Sequence, residues 1–112
     1  MSSIRQNKVA RLLQKELGDI LQKQAGVYCP GGLITVTVLR ISPDLSVAKV
    51  FLSFFPNEKR VEYLESLNLN KKLIRLELGK RVKNQLRIVP ELAFFIDDSL
   101  DYAYKIDTLL KS

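Results

Sequence analysis

Residues 33–55 read LITVTVLRISPDLSVAKVFLSFF and determine the sheet of this protein. Two runs rich in β-branched and aromatic residues, 33–41 and 46–55, are typical of strands. Between them, Ser42-Pro43-Asp44-Leu45 is typical of a turn, because proline presets its own φ and aspartate bonds nearby backbone. Two strands joined by so short a turn are predicted to form an antiparallel hairpin. The buried faces are predicted to carry Ile34, Val36 and Val38 on the first strand and Ala48, Val50, Leu52 and Phe54 on the second.

Helical periodicity surrounds this hairpin. Residues 3–26 are predicted to form one long helix that ends at Gly26. After the hairpin, residues 58–67 are predicted as a short helix capped by Asn57, and residues 71–86 as a longer one. A bend at residues 68–70 separates the two, because asparagine weakens helical propensity. The predicted buried residues of the three helices are Val9, Leu13, Leu17, Ile20 and Leu21; Val61, Leu64 and Leu67; and Ile74, Leu78, Val82 and Leu86.

A third strand is predicted over residues 92–96, after Pro90 has stopped the preceding helix. Residues 102–110 have apolar side chains at helical spacing, which indicates a short final helix. Three strands with helices on one face form an α+β two-layer sandwich. At 112 residues the chain fits a single domain, with its core over residues 4–98 and a tail over residues 99–112.

Several chemistries are disfavoured by composition. The chain has no histidine and one cysteine, Cys29, which excludes an internal disulfide and disfavours a zinc site. Without a signal peptide or an apolar membrane span, a cytoplasmic protein is expected. Since no nucleotide-binding loop or nucleophile–base pair is present, we expect neither an enzyme nor a cofactor. The carboxylates Asp97, Asp98 and Asp101 could hold magnesium in a small nuclease, but such residues after a strand more often form a turn.

The excess positive charge lies in one segment, residues 71–87. The chain has 18 basic and 12 acidic residues, a net charge of +6. The segment alone has seven basic residues and one acid, Glu77, which is also +6. A basic patch on a neutral body indicates a polyanion as the partner. The seven basic residues are Lys71, Lys72, Arg75, Lys80, Arg81, Lys83 and Arg87.

Helical spacing divides the candidate binding residues into two faces. Lys72, Lys80, Lys83 and Arg87 are predicted to project within about a quarter-turn, with Leu76 in the same arc. Arg5, Lys8, Arg11 and Lys15 form a second stripe on the first helix, which either extends the binding surface or is simply its solvated side. Tyr28 is the best candidate for stacking on a base, the alternative being that the tyrosines half-bury at the edge of the core. Gly79, inside a helix, indicates close approach of another element.

The order of elements is that of a type II KH domain, whose usual GXXG loop between the central helices is absent here. Three segments resemble the ribosome-binding factor A family: RQNKVARLLQKEL (5–17), ITVTVLRISPDLSVAKVFLS (34–53) and LIRLELGKRVKNQLRIVPELAFFIDDSL (73–100). The most specific parts are the SPDL–AKV hairpin and the approach to the third strand over residues 86–97. The family usually replaces GXXG by an Ala-x-Gly kink, and the matching positions here are Asn70, Lys71 and Lys72.

The resemblance implies a non-catalytic assembly factor of the small ribosomal subunit. Such a protein binds 16S rRNA within free, immature 30S subunits, supports late maturation and 5′-end processing of the rRNA, and matters most in the cold. The polyanion is then RNA rather than DNA or a membrane, the protein is a monomer, and a ribosome-associated GTPase promotes its release. The alternative is a protein-interaction module that binds a ribosomal protein through its sheet edge or its N-terminal helix.

Overall fold

The computed structural model describes residues 4–97. A short 3-10 turn, Asn57–Lys59, precedes the third α-helix. The predicted helix over residues 102–110 lies outside the described residues. The elements in chain order are α1 (Ile4–Lys23), α2 (Ala25–Tyr28), β1 (Leu33–Ile41), β2 (Val47–Phe55), α3 (Arg60–Leu69), α4 (Lys71–Val82) and β3 (Glu91–Ile96).

The three strands form one sheet in the order β1-β2-β3. β1 and β2 pair antiparallel as the predicted hairpin, whereas β2 and β3 pair in parallel. A parallel pair needs a crossover connection, and α3 and α4 supply it. The predicted face of β2 is buried, with Ala48, Val50 and Leu52 at 0% exposure and Phe54 at 6%. The α+β two-layer sandwich with type II KH order is thereby confirmed.

The core is formed mainly by α1, α4 and the inner face of the sheet. All five apolar residues predicted for the first helix are buried, as are Ile74, Leu78 and Val82 on α4. In α3 one prediction was wrong, because Val61 is 56% exposed. Tyr63 takes the buried position instead, and its hydroxyl donates a hydrogen bond to the Pro30 carbonyl at 2.9 Å. That anchor turns the side of α3 that carries Tyr63 and Leu67 towards the core.

A β-bulge changes the predicted faces of β1. Val36 pairs with Leu52 and Val38 with Phe51, so Thr37 is the extra residue. A single inserted residue exchanges the two faces of a strand beyond it. Val38, predicted to be buried, is therefore 37% exposed, and Leu39 is buried at 5% exposure. The Thr37 hydroxyl donates to the Asp97 carboxylate beyond β3, which ties the bulge to the opposite edge of the sheet.

Two helices end earlier than predicted. α1 stops at Lys23, and α2 forms a separate short helix that buries Tyr28. The helix is therefore interrupted before Gly26. α4 stops at Val82, and a further turn follows in which the amides of Gln85 and Leu86 both bond to the Val82 carbonyl at 2.9 Å. Residues 83–90, hereafter the 83–90 loop, then connect α4 to β3. Within residues 4–97 no helix is long and apolar enough to cross a membrane.

Candidate nucleic-acid interface

The bend between α3 and α4 consists of one residue, Asn70. Its backbone amide contacts the Ser66 and Leu67 carbonyls at 3.2 and 3.1 Å, and its side-chain amide donates to the Ser66 carbonyl at 2.8 Å. The predicted bend over residues 68–70 is thus confirmed in a narrower form, and the Asn57 cap is not, since that turn has no side-chain cap bond. Lys71 and Lys72 occupy the first turn of α4, which has no acid. Cations there oppose the helix dipole, whereas an anion bound at that position is favoured.

A groove of about 450 Å³ lies between α4 and the 83–90 loop, and we call it the α4 groove. The lysines predicted to share one helical face, Lys72, Lys80 and Lys83, all line it and are exposed. Leu76 lies among them, as the spacing predicted. The lining of this groove has no acid. The full lining is Lys72, Arg75, Leu76, Gly79, Lys80, Lys83 and Val89.

Gly79 explains how close the loop comes to the helix. A Cβ atom added at this position would lie 3.3 Å from Val89 Cγ2, which is tighter than ordinary contact. The close approach predicted from a glycine inside a helix is therefore confirmed. Because the loop packs on the backbone of α4 here, the lysines on either side project past it into the groove.

Arg75 holds the loop in that position. Its Nη2 donates to the Val89 carbonyl at 2.6 Å and its Nε to the Pro90 carbonyl at 3.2 Å. Two of the five N–H donors of the guanidinium are therefore committed within the protein. Arg75 stays half-buried at the edge of the α4 groove, where it supports the loop as well as contributing its charge.

Arg81 faces the opposite way, towards α1. Its Nη1 lies 2.6 Å from Asp19 Oδ2 and 3.4 Å from Glu16 Oε2, and the side chain is 26% exposed. The Arg81 guanidinium, together with Lys23, lowers the pKa of the Asp19 carboxyl below its usual range. At about 100° per residue, Arg81 is roughly half a turn from Lys72 and Lys83. Its charge therefore joins the two helices and is compensated there.

Arg87 departs from the sequence prediction. Since α4 ends at Val82, Arg87 belongs to the 83–90 loop and does not share the lysine face. It lines a different groove, together with Arg5 at the start of α1. The segment that looked like one basic helix is thus divided among a lysine groove, an internal ion pair and a second groove. The sequence could have revealed this division only by showing that α4 ends early. The one weak indication of that end is Asn84, because asparagine has a low helical propensity.

The stripe on α1 is solvent-exposed throughout. Arg5, Lys8, Arg11 and Lys15 are all exposed. Lys8, Arg11 and Lys15 lie nearly opposite the buried apolar residues of α1, just as Lys80 lies opposite Ile74 and Leu78 on α4. Both helices consequently present cations on the outer side of the helical layer, with the Arg81 ion pairs at the seam between them.

Three exposed leucines lie among these cations, and of these Leu76 was recognised in the sequence but Leu69 and Leu73 were not. Leu69, Leu73 and Leu76 are 86%, 61% and 58% exposed. Their spacing places them along one side of the bend and α4. Leu76 lines the α4 groove, and Leu73 and Leu76 both line the neighbouring groove beside Tyr28. The candidate surface is therefore amphipathic rather than purely basic.

Neither of the tyrosines within residues 4–97 offers a stacking surface. Tyr28 and Tyr63 are 5% and 2% exposed, which supports the alternative that they belong to the core. Burial and the nearby Glu77 raise the pKa of Tyr28. Asp98 and Asp101, the other members of the proposed carboxylate cluster, lie outside the described residues. Within residues 4–97, no group of three or more histidine, cysteine or acidic side chains is placed to hold a metal ion.

The fold and this surface define an α+β protein of the type II KH-like class that lacks GXXG and presents a cationic helical layer. The family model for ribosome-binding factor A matches residues 5–110. This chain belongs to the ribosome-binding factor A family.

Relatives and solved structures agree with that assignment. Ribosome-binding factor A of Flavobacterium johnsoniae is 49% identical over 111 residues, covering 98% of this chain and 85% of the relative. That of Cytophaga hutchinsonii is 44% identical over 110 residues, covering 98% and 83%. The crystal structure of the Thermus thermophilus factor has a TM-score of 0.68 at 25% identity, covering 81% of this chain and 94% of that one. A homology model of a Thermus thermophilus factor, fitted into a cryo-electron microscopy map of its 30S complex, has a TM-score of 0.58 at 24% identity, with coverage of 88% and 97%.

Proposed function

We propose that this chain binds the small ribosomal subunit through 16S rRNA and acts there as a non-catalytic assembly factor. The observation that carries the proposal is the α4 groove, where four cations line one cleft without an acid. A related factor from Thermus thermophilus has been fitted into a map of its complex with the 30S subunit. A cationic cleft beside the bend of a KH-like fold suits the phosphate backbone of such a partner.

The groove's geometry suggests how phosphates are held. Lys72, Lys80 and Lys83 act as mobile point charges, since none of them forms an ion pair within residues 4–97. Lys71 and Lys72 place their charge at the start of α4, where helix amides also favour an anion. Arg5, Lys8, Arg11 and Lys15 extend the cationic surface along α1. Arg75, Arg81 and Arg87 contribute to its field from supporting positions.

Membership of the family also implies a specific role in the maturation of the small subunit, which we include in the proposal. As a single domain over residues 1–112, the protein acts in the cytoplasm as a monomer on free 30S subunits, before they join into 70S particles. It supports late rRNA maturation, including 5′-end processing, especially in the cold. Release is promoted by a ribosome-associated GTPase. Family membership supports this role.

The test is binding to isolated small subunits and to 16S rRNA at several salt concentrations. If about six phosphates are contacted, affinity falls roughly a thousandfold between 50 and 200 mM salt. Lys80→Glu with Lys83→Glu weakens binding, whereas the matched pair Lys49→Glu with Lys59→Glu, both exposed but outside the groove, has much less effect. Equal affinity at both salt concentrations contradicts the proposal. So does sedimentation of the tagged protein only at the top of a sucrose gradient instead of with free small subunits.

A further inference from the structure

A second groove of about 380 Å³ opens between the start of α1, the hairpin turn and the 83–90 loop. We call it the turn groove. Arg5 and Arg87 line it, and neither forms an ion pair within the described residues 4–97. Its volume lies within the range of roughly 300–1,000 Å³ that is typical of clefts for small ligands. The remaining walls are mostly apolar and include Val9, Leu45, Leu86, Ile88 and Pro90.

The turn groove differs in charge from the α4 groove. Two arginines and one acid, Asp44, line it, a surplus of one positive charge. The Asp44 carboxylate is occupied within the turn, where its Oδ1 accepts hydrogen bonds from the Ser42 and Ser46 hydroxyls, each at 2.7 Å. The α4 groove, by contrast, has four cations and no acid. A polyanion is bound by several cations together, whereas a groove with a net charge of +1 suits a ligand with a single negative group.

The apolar walls indicate which other chemical group the ligand carries beside its negative group. Ile88 lines the groove and is 78% exposed, so its side chain is accessible to a ligand there. Together with the other apolar walls, Ile88 offers a contact for an apolar side chain. Guanidinium groups, for their part, bind a carboxylate through paired N–H donors. The lining therefore complements an apolar side chain next to one carboxylate.

We propose that the turn groove binds a short peptide segment of a partner protein, in which one carboxylate stands beside an apolar side chain. Arg5 and Arg87 take the carboxylate, and Val9, Leu86 and Ile88 take the apolar group. The 83–90 loop serves both grooves, since Val89 lies in the α4 groove while Arg87 and Ile88 lie in this one. The two grooves share no lining residue, so variants in the α4 groove test rRNA binding separately from peptide binding here.

The probes are three blocked pentapeptides added to the full-length, isotope-labelled protein and followed by amide chemical shifts. The first is Ser-Leu-Asp-Leu-Ser, the second replaces its aspartate with asparagine, and the third replaces both leucines with serine. We expect the first to shift amides at Val9, Leu45 and Ile88. The asparagine and serine peptides are each expected to bind about tenfold more weakly, because each lacks one of the two complementary features.

Variants locate the site. Arg5→Gln with Arg87→Gln is expected to reduce the affinity for the first peptide at least tenfold, and Lys72→Gln with Lys80→Gln to leave it within about twofold. Asp44→Asn is expected to raise it, by removing the opposing charge. Equal binding of the aspartate and asparagine peptides overturns the proposal, as do shifts confined to the amides of Gly79 and Lys80. If decauridylate RNA binds and displaces the peptide, and the double arginine variant loses RNA affinity equally, the groove is an RNA site and the proposal is wrong.

Discussion

Arg81 Nη1 lies 2.6 Å from Asp19 Oδ2, so one cation of the basic segment is paired across two helices. Glu16 adds a second carboxylate at 3.4 Å, and Lys23 contacts Asp19 at 3.1 Å. Arg81 therefore fastens α4 to α1, and its guanidinium contacts these carboxylates rather than lining the α4 groove. Its neighbour Lys80 is exposed in the α4 groove. Two adjacent basic residues thus have separable roles.

Replacing each by glutamine separates these roles. Arg81→Gln is expected to lower the free energy of unfolding by about 0.5–1 kcal/mol, as befits a partly exposed pair. It should leave the salt dependence of rRNA binding unchanged. Lys80→Gln is expected to change stability by less than about 0.5 kcal/mol but to reduce the slope of log affinity against log salt by about one. Urea unfolding and titrations at graded salt measure both quantities. A slope that falls as much for Arg81→Gln as for Lys80→Gln contradicts this division.

Arg75 supports the α4 groove by holding the 83–90 loop. Arg75→Gln removes charge-assisted bonds to two backbone carbonyls, so we expect a loss of about 1–2 kcal/mol in stability. Hydrogen exchange in residues 83–90 should accelerate, and rRNA affinity should fall. The discriminating variant is Arg75→Lys, which keeps the charge but lacks the planar fork. If geometry matters, it resembles Arg75→Gln in both measurements. Full recovery of affinity in Arg75→Lys would show that Arg75 acts by charge alone.

Local patterns predicted most of the fold. The hairpin, the α1 core stripe and the bend were predictable because each depends on neighbouring residues: alternation, helical spacing or an asparagine that ends a helix. The bulge at Thr37 was not, since it is stabilised across the sheet, where Thr37 contacts Asp97, a residue 60 positions away. Val61 was misassigned for the same reason. The bond from Tyr63 to Pro30, outside α3, sets which side of that helix is buried.

The candidate site was predictable in charge but not in shape. Composition located the cations in residues 71–87, and spacing correctly placed Lys72, Lys80 and Lys83 together. The same spacing could not show that Arg81 pairs with α1 or that Arg75 bonds to the 83–90 loop, because those partners come from distant elements. It also misplaced Arg87, since α4 ends at Val82 and Arg87 belongs to the loop that follows.

The contact between Gly79 and Val89 predicts a coupled pair of substitutions. Gly79→Ala alone is expected to be nearly neutral, because a helical gain of about 1 kcal/mol is offset by crowding against Val89. In a Val89→Ala background, the same change should stabilise by about 1 kcal/mol. A double-mutant cycle by chemical denaturation measures this coupling.

Gly32→Ala serves as the contrasting case to Gly79→Ala. A Cβ added at Gly32 would lie 2.6 Å from both the Phe55 carbonyl oxygen and Tyr63 Cε2. A loss of about 3 kcal/mol or more is expected in every background, because neither neighbour can move away easily. Zero coupling between Gly79 and Val89, or a neutral Gly32→Ala, would contradict these packing assignments.

Asp44 makes the stability of the hairpin turn depend on pH. Hydrogen bonds from the Ser46 and Ser42 side chains, joined by the Ser46 amide, lower the pKa of the Asp44 carboxyl from 3.8 to about 2. A carboxyl whose pKa is lower in the folded state stabilises that state above its unfolded pKa, and the benefit disappears as pH falls through the folded value. The melting temperature of the wild type should therefore exceed that of Asp44→Asn at pH 6. That difference should shrink between pH 4 and 2, as Asp44 is protonated. Thermal melts of both proteins across this range measure it, and a difference that stays constant down to pH 2 would show that the ionised carboxylate does not stabilise the turn.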